Sequence, residues 1–225
     1  MENAIKGGFD LQGMLLKFLF GLPWFEVIGK LWNLGRKIVL GFANEGTYEV
    51  LEYECTVELK DKEGQEAIIY RRKKIRYLQD YITTYLDEAW GTKGNILLDY
   101  KCSPGIPVDE YKLGRGTYKL ISLREFRNKG DVDEFNISWK MHNGFLSSTG
   151  FWGTAIRNRM GKSKVKIIFP SNRPPLHFAL TETNLKRTRP LGKESQQKLP
   201  DGRQMIVWEE DKPRLYEDYI LSWEW

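Results

Sequence analysis

The sequence predicts a mainly β protein: an antiparallel β-sandwich or barrel of eight to nine strands, preceded by an N-terminal pair of hydrophobic or amphipathic helices. Three observations point there. Apolar and polar residues alternate with a period of two through most of the chain after Thr47. Turn-forming residues recur at short intervals between the alternating runs. Aromatic residues reach 13% with eight Trp, and such side chains favour strands. A length of 225 residues accommodates one such domain plus a small helical unit. Hydrophobic and charged shares of 41% and 29% are those of a folded chain.

The expected boundary falls between residues 1–45, an assembly or anchor segment, and residues 46–225, the β domain. Phe9 to Leu22 is apolar on nearly every side, and Pro23 interrupts it. From Trp24 to Phe42, Glu26, Lys30, Asn33 and Lys37 form one polar stripe. Val27, Ile28, Leu31, Leu34, Ile38 and Phe42 fill the opposite side, which is helical spacing. Neither piece suits a span of the ~30 Å hydrocarbon core, because the first is short and the second is interrupted by charge. Leu15, Phe18, Leu19, Trp24, Leu31 and Trp32 are the candidate contacts with a second copy or a membrane surface.

Leu51, Tyr53, Cys55, Val57 and Leu59 open the β domain on one face of a strand. Asp61-Lys62-Glu63-Gly64 turns the chain into a return strand bearing Ala67 and Ile69. Leu78, Ile82, Leu86 and Ala89 stand four, four and three apart, which predicts a short helix over 77–90. Ile96–Cys102 and Tyr118–Phe126 read as strands separated by a loop with Pro104, Gly105, Pro107, Gly114 and Gly116. Phe135, Ile137, Trp139 and Met141 form another clean alternation. Val165–Phe169, Leu176–Leu180 and Met205–Trp208 are further strands, with a polar loop expected over Thr183–Gly202. Tyr219, Leu221, Trp223 and Trp225 share one face of the last strand.

Charge is distributed unevenly. Residues 153–193 hold ten basic side chains and one acid, Glu182, whereas residues 200–225 hold seven acids and three bases. The candidate anion-binding residues are Arg157, Arg159, Lys162, Lys164, Lys166, Arg173, Lys186, Arg187 and Arg189, beside the aromatics Phe151, Trp152, Phe169 and Phe178. A second basic patch is Arg71, Arg72, Lys73, Lys74 and Arg76. The basic and acidic segments could equally neutralise each other in the fold, and Lys162, Lys164 and Lys166 share one strand face.

Catalytic chemistry leaves little trace. No nucleophile elbow, zinc-protease helix motif, P-loop or dinucleotide glycine motif occurs. The histidines, His142 and His177, stand alone in their strands, and Asp131, Asp133 and Glu134 read as solvated carboxylates flanking a turn. Cys55 and Cys102 match no metal spacing and suit a reducing compartment, with no cofactor and no metal expected. The apolar start carries Lys17, Glu26, Lys30, Arg36 and Lys37, which does not suit a secretory leader. The expectation is a non-enzymatic binding protein, cytoplasmic and peripheral at a membrane if the helices bind one. It works through self-assembly or membrane contact and engages an anionic partner such as nucleic acid, nucleotide or acidic lipid. The alternatives are a nucleic-acid-binding β domain using 153–193 and an enzyme with a carboxylate-based site.

Overall fold

The computed structural model describes residues 46–90, 95–113 and 116–225. The helix pair expected within 1–45 lies outside the described residues. Fourteen strands occur among them: β1 (Tyr48–Leu59), β2 (Glu66–Tyr77), β3 (Ile82–Trp90), β4 (Asn95–Ser103), β5 (Ile106–Leu113), β6 (Gly116–Arg127), β7 (Val132–His142), β8 (Thr149–Ala155), β9 (Met160–Phe169), β10 (His177–Glu182), β11 (Arg187–Pro190), β12 (Gln196–Lys198), β13 (Gln204–Asp211) and β14 (Asp218–Glu224). A single 3₁₀ turn, Lys193–Ser195, is the helical element among the described residues. No described helix is long and apolar enough to cross a membrane.

The strands make a seven-stranded sheet, β12-β13-β9-β1-β2-β7-β4, a four-stranded sheet, β11-β10-β14-β8, and a three-stranded sheet, β3-β6-β5. Every pairing is antiparallel except β1 with β9, which run parallel, so the sequence expectation of a wholly antiparallel fold is corrected at the centre of the largest sheet. The seven-stranded sheet shares its inner face with both smaller sheets. Tyr85 of β3 stacks on Phe135 of β7 with ring centroids 4.0 Å apart. Trp223 of β14 meets Phe169 of β9 edge-on at 5.5 Å, and Trp208 of β13 lies 4.8 Å from Tyr219. These are the offset and edge-on geometries that aromatic quadrupoles prefer.

The expected hairpin at Asp61–Gly64 is present. Lys60 N–H bonds Glu66 O, and the Asp61 carboxylate accepts from the backbone N–H groups of Gln65 and Glu66 at 2.9 and 2.6 Å. Gly64 has φ +73°, and a Cβ there would stand 2.0 Å from the carbonyl oxygen of Phe145, so the turn needs glycine twice over.

Two further expectations are corrected. The described residues hold fourteen strands, not eight or nine, because β5, β8, β11 and β12 fall in stretches without clean alternation. The helix expected over 77–90 is instead a turn and β3, with Ile82–Trp90 paired to β6. Its buried positions are Tyr85, Asp87 and Ala89, a period of two. An aspartate in the middle of the buried face hides that period from an apolar count, and β-branched Ile82, Thr83 and Thr84 favour a strand. Tyr81, with φ +60°, makes the turn just before it.

Candidate functional site

The register of the seven-stranded sheet decides what becomes of the charged segments. On its outer face, five strands align Asp211, Lys162, Glu52, Lys74 and Glu134 as one row. The next row aligns Glu209, Lys164, Glu54, Arg72 and Asn136. Signs alternate along both. Glu209 sits between Lys162 and Lys164 at 2.5 and 2.9 Å, and those ammonium groups pull its carboxyl down to about 2. Lys166 pairs with Glu54, whose pKa it lowers chiefly through that hydrogen bond. Arg72 reaches Glu52 at 2.8 Å, Glu134 at 3.2 Å and Glu54 at 3.7 Å. The acidic C-terminal segment thus lies hydrogen-bonded along the basic one, β13 against β9.

Other members of the basic segment are also engaged. Arg157 pairs with Asp218 at 2.7 Å, and Arg187 with Glu182 at 2.6 Å. Arg173 lies 3.8 Å over the Trp225 ring and donates to Lys62 O. Arg189 is exposed on the short strand β11, and Lys186 stands at the tip of the β10–β11 hairpin with φ +50°. Arg159 precedes β9, where its carbonyl accepts from Val50 N–H.

The second basic patch is split by the pleat of β2. Arg72, Lys74 and Arg76 face outward, and Arg76 pairs with Glu49 at 2.9 Å. Arg71 and Lys73 face inward, beneath β3. Arg71 pairs with Asp87 at 2.6 Å, their side chains 10% and 3% exposed, and donates to Glu88 O at 2.9 Å. Its guanidinium lies 4.8 Å over Trp139, and Tyr100 OH donates to the same Asp87 oxygen at 2.9 Å. Burial pulls the pKa of Arg71 down, but Asp87 together with Tyr53, Tyr85 and Cys55 outweighs it and holds it above the usual arginine value. Lys73 lies 5.0 and 5.4 Å over the rings of Tyr48 and Tyr85. Burial, opposed by a hydrogen bond from Tyr118, raises the pKa of the Glu88 carboxyl. Sequence reasoning missed this interlayer cluster, because its acid lies on a segment that reads as a helix.

Cys55 and Cys102 are free thiols. Cys55, Arg71, Ile137 and Cys102 form one cross-strand row, which separates the thiols by three ladder steps, about 14 Å. That distance forbids a disulfide. Burial pushes their pKa values up to about 11 and about 12, away from reactive thiolates. His142 Nε2 lies 3.9 Å from the exposed Glu66, and His177 is exposed opposite Glu224. Asp133 accepts from Arg127 at 2.8 Å and Tyr77 at 2.9 Å, and Asp131 from Asn128 N–H at 2.8 Å. Among the described residues no group of three His, Cys, Asp or Glu side chains is placed to hold a metal.

A shallow furrow of about 300 Å³ crosses the outer face between Glu54, Thr56, Tyr70, Arg72, Asn136 and Ser138. The outer face of the four-stranded sheet is different in kind. One row there is Pro190, Ala179, Ser222 and Phe151, and the next is Thr188, Thr181, Ile220 and Gly153. Neither carries a charge. Phe151 is 55% exposed, and Gly153 has open space where a Cβ would stand.

No family model matches the chain, and no curated protein matches it. Among solved structures, a proposed protease from Parabacteroides distasonis is similar over 80% of this chain and 41% of its own, with TM-score 0.51 and 8% identity. The M1 zinc metallopeptidase of Deinococcus radiodurans is similar over 79% of this chain and 42% of its own, at TM-score 0.46 and 7% identity. Legionella pneumophila aminopeptidase A in complex with aspartic acid gives 78%, 21%, 0.45 and 12%. The chain spans less than half the length of these proteins. At such identity the first of them speaks for the β fold alone.

Proposed function

We propose that the chain is a two-part binding protein. Its β unit, layered as a sandwich, docks a partner through the two uncharged central rows on the outer face of the four-stranded sheet. Its apolar helical segment, with Leu15, Phe18, Leu19, Trp24, Leu31 and Trp32, holds the chain to a further copy or to a membrane surface on the cytoplasmic side. The observation behind this is the contrast between two outer faces. The seven-stranded sheet is covered by alternating, paired charges, whereas two full rows of the four-stranded sheet carry none. A neutral face on a chain that is 29% charged costs little desolvation to cover, which suits an interface core. The pairing of Lys162, Lys164 and Lys166 with Glu54 and Glu209 favours this over an anionic partner on the same strand.

Sedimentation mass and flotation on phosphatidylglycerol–phosphatidylcholine vesicles test it on the full chain. Wild type is expected to assemble or float. Ile220→Lys, which plants a cation in the neutral face, or Leu15→Ser with Leu19→Ser, should weaken one of these while the thermal melt holds. A wild-type monomer that does not float, or an assembly that neither variant disturbs, would overturn the two-part proposal.

A further inference from the structure

We infer that β8 is a self-pairing edge, through which two copies of this chain join their four-stranded sheets into one eight-stranded sheet. This rests on the docking role proposed for that sheet, places the contact at its β8 edge, and names the partner there as a second copy.

An open sheet edge is a template for another strand, and natural edges are protected by charge, proline or irregular pairing. Five of the six edge strands among the described residues have such protection. β11 carries Arg187, Arg189 and Pro190, and β12 carries Lys198. β5 has Pro107, Asp109, Glu110 and Lys112, and β3 has Asp87 and Glu88. β4 has Asp99 and Lys101, and its register with β7 is irregular. β8 reads Thr-Gly-Phe-Trp-Gly-Thr-Ala, without a charge or a proline. Its ladder with β14 runs through all seven residues without a register shift, and β14 is its ladder partner among the described residues.

The sequence of β8 also fits itself. Antiparallel pairing about a two-fold axis, with both cores on the same side, must join residues of the same face. Full overlap of Thr149–Ala155 with a second copy centres the axis on Trp152. Phe151 then falls opposite Gly153 of the other copy, twice over. On the outer face Phe151 is the exposed bulk, and Gly153 is the position with open space beside it. An aromatic ring covering a cross-strand glycine shields backbone that the glycine leaves bare. Gly150 does not serve this role, since it lies under the Trp223 ring, 2.4 Å from where its Cβ would be. An edge strand without charge can meet its own copy across a two-fold without like-charge repulsion, which an edge of one sign cannot do.

The test uses the full chain. Wild type should sediment as a dimer or a multiple of one, and Phe151→Lys should at least halve that mass without shifting the melt. Phe151→Cys with Gly153→Cys should, on mild oxidation, give a covalent dimer held by disulfides between 151 and 153, located by peptide mapping. Monomeric wild type that floats on vesicles would overturn the pairing and leave the two-part function standing. An assembly unaffected by Phe151→Lys, or a double-cysteine chain that forms no 151–153 link, would also overturn it.

Discussion

Arg71→Met isolates the buried ion pair that joins the seven-stranded and three-stranded sheets. Asp87 is 3% exposed, and its charge is held by Arg71 at 2.6 Å and Tyr100 OH at 2.9 Å. Methionine replaces the aliphatic stem but removes the cation, which leaves a carboxylate in the core with one neutral donor. Stranding one partner of a buried pair costs about 3–5 kcal/mol, against a total stability of about 5–15 kcal/mol for a domain. The loss should be visible as a lower urea midpoint, followed by Trp fluorescence, with little change in the slope. The triple variant Arg71→Met, Asp87→Leu, Tyr100→Phe removes both charges and the hydroxyl that would otherwise lose its acceptor. It should recover most of the loss, since apolar replacements of buried pairs are often neutral or stabilising. A cost below about 1 kcal/mol for Arg71→Met would refute the stranded-charge account, as would a triple variant no more stable than the single one.

Four other outcomes follow from the packing and register. Trp223 is 2% exposed against Phe145 and Phe169, so Trp223→Ala should cost about 3–5 kcal/mol in denaturant titration. Gly150→Ala, driven into the Trp223 ring, should cost about 1–3 kcal/mol, whereas Gly153→Ala should be nearly silent; equal effects would mean that the ring yields freely. Glu209 titrates at about 2 in the folded chain against 4.5 ordinarily, so its contribution is complete above pH 4.5 and is lost as pH falls toward 2. The difference in melting midpoint between wild type and Glu209→Gln should therefore close over that window. High salt should shrink it, because the side chain is 37% exposed. A difference that persists unchanged at pH 2 would contradict the assignment. Lys162→Glu with Lys164→Glu and Lys166→Glu would set three new carboxylates against Glu52, Glu54, Glu209 and Asp211. The melting midpoint should fall, and an unchanged midpoint would show that these pairs are merely solvated.

The β class was legible because alternation is a local property. A strand with one buried face repeats its apolar side chains every two residues whatever it pairs with, as Phe135–Met141 and Val165–Phe169 show. The Asp61–Gly64 turn was legible for a similar reason, since its hydrogen bonds lie within five residues. What failed depended on partners far away in sequence. β3 read as a helix because its buried face includes Asp87, which is tolerated only opposite Arg71, sixteen residues earlier. Arg71 itself read as surface charge because nothing nearby announces the aspartate that buries it. The ten-to-one basic segment read as a candidate anion site, yet its central lysines lie beside Glu54 and Glu209, up to 112 residues distant. Composition and periodicity alone determined that this chain would build sheets with one wet face. Tertiary structure decided which strands are neighbours, which edges stay open and which charges meet, because register is set by long-range pairing and a shift of one residue would turn every side chain to the other face.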